Sequence, residues 1–138
     1  MQLHASCCAR YGRGLLITGP SGSGKSSLVL RLLQRGFALV ADDRVVLDGA
    51  VASAPPALAG ILEVRGIGLM RLAYLRRASL ALVVALAQGP RLPDRATHPG
   101  TGLPMVSLPP HCPSLSDRVI LALHAVIAPT APTAKGFP

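Results

Sequence analysis

Acidic side chains are scarce in this sequence: six Asp and Glu stand against fourteen Lys and Arg, a formal net charge of +8. Tryptophan is absent, and only two Phe and two Tyr occur. Aliphatic side chains must therefore fill any core, and little aromatic surface is left on which nucleic-acid bases could stack. The arginines are scattered rather than clustered. The basic balance thus suits anionic partners in general, and a nucleic-acid partner is not expected. Cysteine is limited to Cys7, Cys8 and Cys112, without the C-x-x-C spacing of a zinc or redox motif. Adjacent cysteines on a strand point to opposite faces, so at least one of the pair belongs to a core. Long apolar runs are also missing. The stretches at 80–87 and 119–128 are too short to cross a bilayer. Free thiols and the lack of a leader-like segment lead to an expectation of no membrane partner and a cytoplasmic location.

Half of the 138 residues are apolar, enough for one folded domain, placed here at 1–128, with a disordered tail over 129–138. The clearest feature is the run Gly19, Pro20, Ser21, Gly22, Ser23, Gly24, Lys25, Ser26. It satisfies the phosphate-binding pattern G-x-x-x-x-G-K-[ST] at every position. Gly22 and Gly24 let consecutive N–H groups turn inward around an anion. A helix starting near Lys25 adds its positive end, Lys25 reaches the outer phosphates, and the Ser26 hydroxyl ligates Mg²⁺. The flanks agree: Leu15–Ile17 form a buried strand, Leu28, Val29, Leu32 and Leu33 recur at helical spacing, and Gly36 caps the helix.

Around this loop the sequence predicts a strand at 2–8 paired with one at 14–18, and a buried strand at 37–43 ending in two acids. Asp48-Gly49 marks a hairpin within 44–54. A loop at 55–60, a short strand at 61–66 and a central strand at 80–86 follow. A surface loop over 88–102 leads to an edge strand at 104–108. A helix over 113–128 is expected to carry a capping box of Ser114 and Asp117.

Six acids leave few candidates for chemistry. Asp48 is explained by its turn and Asp117 by its cap. If the strand at 37–43 runs parallel to the strand entering the glycine loop, Asp42 and Asp43 emerge at the same sheet edge as the loop. Phosphoryl transfer needs such acids, to hold Mg²⁺ and to take the proton of the attacking hydroxyl. The alternative is a pair that caps a turn or binds Arg44. Glu63 sits in an apolar strand, facing either solvent or a site, and Arg65 points to the same side. The two form a surface salt bridge or a metal ligand beside a phosphate clamp. His4, His98, His111 and His124 carry no signal of their own.

Taken together, "LHA" at 3–5, the glycine loop with its flanks at 12–36, "LVADDRV" at 39–45, "LEVRGIGL" at 62–69 and "RLP" at 91–93 resemble HPr kinase/phosphorylase. The resemblance covers about residues 3–125 and points to the short, alphaproteobacterial form, limited to the C-terminal catalytic domain. It implies an α/β fold similar to phosphoenolpyruvate carboxykinase, a mixed sheet with flanking helices. It implies ATP- and Mg²⁺-dependent phosphorylation of a serine on the carrier protein HPr, with reverse phosphorolysis, and a homo-oligomer, hexameric in the long members. By position, Gly19–Ser26 with Ser27 would bind the phosphates of ATP, and Ser26 and Glu63 would ligate Mg²⁺. Asp42 would be the catalytic acid, acting with Lys25 and modulated by His4. Asp43 would support the metal or the loop. Arg65 would organise the site or touch the partner, and Arg91 would serve phosphorolysis. Two departures stand out: "HCPSLSDRV" replaces a Gly-Arg-Asn segment of the long forms, and Ser27 stands where they often carry Glu. The competing expectation is a P-loop kinase acting on a small hydroxylated metabolite, which Asp42 also fits but "LEVRG" and His4 do not predict. A nucleotide-binding regulator without catalysis would not need Lys25, Ser26, Asp42 and Glu63 together.

Overall fold

Runs of consecutive apolar residues in the strands bury both faces of one mixed sheet, as continuous apolar strands do when each face is covered. The structure is a computed structural model and describes residues 1–89, 94 and 96–128. Its strands are β1 (Gln2–Leu3), β2 (Ala5–Arg10), β3 (Arg13–Thr18), β4 (Ala38–Ala41), β5 (Val45–Asp48), β6 (Val51–Ser53), β7 (Ile61–Val64), β8 (Gly68–Arg71), β9 (Ala78–Leu86), β10 (Ala96–Thr97) and β11 (Pro104–Leu108). The helices are α1 (Lys25–Leu33) and α2 (Leu115–Ile127). The main sheet runs β1-β5-β6-β9-β3-β2-β4, with β11 beside the end of β9 and β10 beyond it; β7 and β8 form a separate two-stranded sheet.

Strand β9 is central, parallel to β3 and β11 and antiparallel to β6. Strand β2 is antiparallel to both β3 and β4. The last two therefore run the same way and end at one sheet edge, which puts the residues after Thr18 and after Ala41 side by side. On one face Cys8, Leu15, Ile17, Leu82 and Val84 pack with Leu28, Val29 and Leu32 of α1 and with Leu115, Val119 and Leu123 of α2. On the other face Cys7, Leu16, Val40, Leu47, Leu80 and Val83 pack against one another. Among the described residues no helix contributes to that second cluster. The sheet curls over it instead, so that β2 approaches β5. Each such buried Leu, Ile or Val side chain contributes about 1.5–3 kcal/mol.

The strand expected at 2–8 is broken at His4: β1 pairs with β5, at the opposite end of the sheet from β2. The turn at 9–14 shrinks to Tyr11-Gly12, both with positive φ (55° and 74°), the two-residue turn whose twist matches a hairpin. Gly36 closes α1 as expected, with the Phe37 N–H bonded to the Leu32 carbonyl at 3.1 Å. The strand at 104–108 lies between β9 and β10 rather than at an edge. The capping box at α2 does not form. The Ser114 hydroxyl makes no cap bond and accepts from Arg118 Nε at 2.9 Å instead. Asp117 reaches Arg35 at 2.6 Å, a partner distant in sequence. The expected tail and Arg91 lie outside the described residues.

Candidate active site

The loop between β3 and α1 supplies the floor and one wall of a cleft of about 420 Å³. Gly22 and Gly24 hold φ of 78° and 99°, angles that side-chain-bearing residues rarely adopt, and Gly24 is the residue from which α1 starts. Ser21, Gly22, Gly24, Lys25, Ser26 and Ser27 face the cleft. Gly19, Pro20 and Ser23 lie behind it, where a Cβ on Gly19 would come within 2.7 Å of the Ser23 hydroxyl. Among the described residues that buried hydroxyl finds no partner. Lys25 is buried, and its ammonium donates to the Gly19 and Pro20 carbonyls at 2.8 and 3.0 Å. Burial lowers its pKa from the usual 10.5, while the carboxylates of Asp43 and Asp42 pull it back up.

The two acids after β4 face different surroundings. Asp42 is 5% exposed. Its Oδ1 accepts from the Ser6 hydroxyl at 2.7 Å, and the Ser26 hydroxyl lies 2.8 and 2.9 Å from its two oxygens. The Glu63 N–H also points at it, at 3.4 Å. Asp43 has a φ of 70°, and the Arg44 N–H bonds back to the Asp42 carbonyl at 2.8 Å. This is the three-residue turn of positive hand, rare because it is strained. The strain turns Asp43 out of the core and into the cleft wall, with its side chain 62% exposed. His4, at the corner between β1 and β2, places Nδ1 at 3.3 Å from Asp43 Oδ1 and Nε2 at 3.1 Å from Ser21 Oγ. A carboxylate, an imidazole and a loop hydroxyl thus form one chain across the rim.

Glu63, Val64 and Arg65 come from the β7–β8 hairpin and line the same cleft. The hairpin turn is closed by the Ile67 N–H on the Val64 carbonyl at 3.0 Å. Leu30, Arg31, Pro110, His111 and Leu115 complete the lining. Of the residues singled out from the sequence, His4, Asp43, Glu63, Arg65 and Ser21–Ser27 without Ser23 therefore meet in one place, and Asp42 lies beneath them. Ser6, Arg31 and His111 are not among the residues singled out from the sequence. Ser6 is a lone polar residue in an apolar strand, a hint of a buried hydrogen bond.

Strand, glycine loop and helix, in this order and with this backbone, put the chain in the P-loop class of nucleotide-binding folds. The family model described as "HPr Serine kinase C-terminal domain" matches residues 1–86, more than half of the chain. The chain belongs to that family. It is 47% identical over 73 residues to an HPr kinase/phosphorylase of Lacticaseibacillus casei (strain BL23), a match covering 49% of this chain and 23% of that protein. It is 40% identical over 121 residues to one of Burkholderia cenocepacia (strain HI2424), covering 75% of this chain and 38% of that protein. The chain thus spans well under half the length of these curated relatives. The solved HPr(Ser) kinase/phosphatase of Coxiella burnetii superposes with a TM-score of 0.72 at 25% identity, over 86% of this chain and 91% of that one.

Proposed function

We propose that this chain transfers the terminal phosphoryl group of ATP to a serine hydroxyl of the phosphocarrier protein HPr, and that inorganic phosphate reverses the reaction. The observation that carries this reading is the division of labour at the tip of β4. One acid is buried against the Ser26 hydroxyl, and its neighbour is open to the cleft beside the glycine loop. Phosphoryl transfer calls for this pair of roles.

The backbone N–H groups of the loop would cradle the phosphates, and Lys25 would neutralise the outer ones. Mg²⁺ prefers hard oxygen ligands and shares substrate phosphates with few protein groups; Ser26, Asp42 and Glu63 would hold it, and when bound it would offset charge on the phosphate oxygens. The hydrogen bonds from Ser6 and Ser26 would hold Asp42 in place for that task, which supports giving it this role instead of the catalytic one that the resemblance implies. Asp43 is the better proton acceptor. It is accessible to an incoming hydroxyl, and His4 orients its carboxylate from the side. In the reverse direction Asp43 would return the proton to the leaving serine oxygen. Arg91 would assist the reverse reaction, as the resemblance implies. The three free cysteines support a reducing, cytoplasmic setting.

Incubation of the protein with HPr, Mg²⁺ and γ-labelled ATP tests the proposal. Labelled phosphoserine on HPr is the expected result. Label that passes to a small hydroxylated metabolite and leaves HPr unlabelled would establish the competing activity instead.

A further inference from the structure

We propose that the arm of the cleft running along α1 from Ser27 to Arg31 holds the nucleoside of the phosphoryl donor, with Arg31 and His111 as its side-chain contacts. The inference rests on the reading of a nucleoside triphosphate in the glycine loop and adds where the base and sugar lie.

The direction of the bound chain follows from the two ends of the cleft. At one end Lys25 lies in the field of Asp43 and Asp42, and the His4–Asp43–Ser21 chain crosses the rim. That is the end where Lys25 meets the outer phosphates and where an acceptor hydroxyl needs a base. The remainder of the triphosphate must therefore lead away from it. Along α1 the cleft lining continues from Ser27 to Arg31, four residues on and so on the same helix face, about 6 Å further along the axis.

The lining of that arm suits a nucleoside and not more phosphate. Leu30 on α1, with Pro110 and Leu115 before and at the start of α2, adds apolar side chains to the lining beside Arg31 and His111, in contrast to the hydroxyls and acids of the glycine loop and the β4 tip. Arg31 and His111 are exposed side chains with flat polar groups that stack on a base or donate to its edge. Among the described residues the ion pairs are His4–Asp43 and Arg35–Asp117, so neither Arg31 nor His111 is consumed by a carboxylate. The cleft is also of the size that encloses a whole small ligand rather than an isolated anion.

The test compares calorimetric binding of ATP with that of inorganic tripolyphosphate, both with Mg²⁺, in the wild-type chain and in Arg31→Ala, His111→Ala and the double variant. ATP affinity is expected to fall about tenfold in each single variant, with tripolyphosphate affinity and melting temperature unchanged. Equal loss for both ligands would make these residues phosphate clamps or structural supports, and loss for neither would remove them from the site. Either result overturns the inference while leaving the donor reading intact. A wild-type chain that binds tripolyphosphate no more weakly than ATP would overturn the nucleoside subsite outright, and one that binds neither would bring down the donor reading as well.

Discussion

The floor of the cleft and its rim use the same residue types in opposite ways. On the floor, the Asp42 carboxylate is closed in by two serine hydroxyls and a backbone N–H, all at fixed distances. On the rim, Asp43 sits on a strained turn with its carboxylate in solvent and a single histidine, itself 39% exposed, beside it. Buried, fully bonded acids hold things still, whereas open acids exchange protons with what arrives. Two neighbours in sequence thereby stand in opposite surroundings, and the proposed division between positioning and proton transfer rests on that difference.

The largest test of that contrast is Asp43→Asn, which is expected to slow HPr phosphorylation by about 10²–10⁴-fold while leaving ATP affinity near wild type. If Asp42→Asn shows that profile and Asp43→Asn retains activity, the two roles are exchanged. Next, Lys25→Ala is expected to weaken nucleotide binding by about 2–3 kcal/mol, read by titration with ATP. Unchanged affinity would detach Lys25 from the phosphates. Removing the floor acid acts on folding: Asp42→Ala strands the buried Ser6 hydroxyl, at an expected cost of about 1–3 kcal/mol in a denaturant melt. Asp43→Asn, which keeps a side chain tolerant of the positive φ, is expected to shift the same melt by less than about 0.5 kcal/mol. Similar losses for the two would erase the distinction between floor and rim.

The thiols extend the contrast between buried and open groups. Burial pushes Cys7 up to about 12 and Cys8 well above its usual value, whereas hydrogen bonding to Ser114 lowers Cys112. A thiol reagent at pH 8 is therefore expected to modify one cysteine of the folded chain, and all three only after unfolding. Because the folded-state value of Cys7 is raised, its contribution to stability is intact below pH 9 and declines as pH climbs from 9 toward 12. A melting temperature that holds steady across that window would contradict the burial of Cys7.

Much of this arrangement was readable in advance where one residue type has one physical use. The Gly19–Ser26 loop, the β9 run and the apolar spacing of α2 each announce their structure. Other features depend on partners far along the chain. Asp117 has the right spacing for a cap, yet Arg35 lies within reach and takes it. Strand β8 begins with glycine, a poor strand former, and exists because β7 pairs with it. The resemblance gives Asp42 the catalytic role and Asp43 a supporting one, whereas the two letters alone do not say which is buried; the turn at Asp43 decides that. His111 joined the cleft only because α2 packs beside α1.

His4 stands at the seam where the polypeptide crosses from one end of the curled sheet to the other. Its ring reaches both Asp43 and Ser21 because β1 is anchored on β5 and β2 on β3 and β4. Fraying of the short β1–β5 contact would thus uncouple the imidazole from its carboxylate while leaving the glycine loop intact. Loss of proton transfer ahead of loss of nucleotide affinity, on gentle destabilisation, is the signature that such a seam would leave.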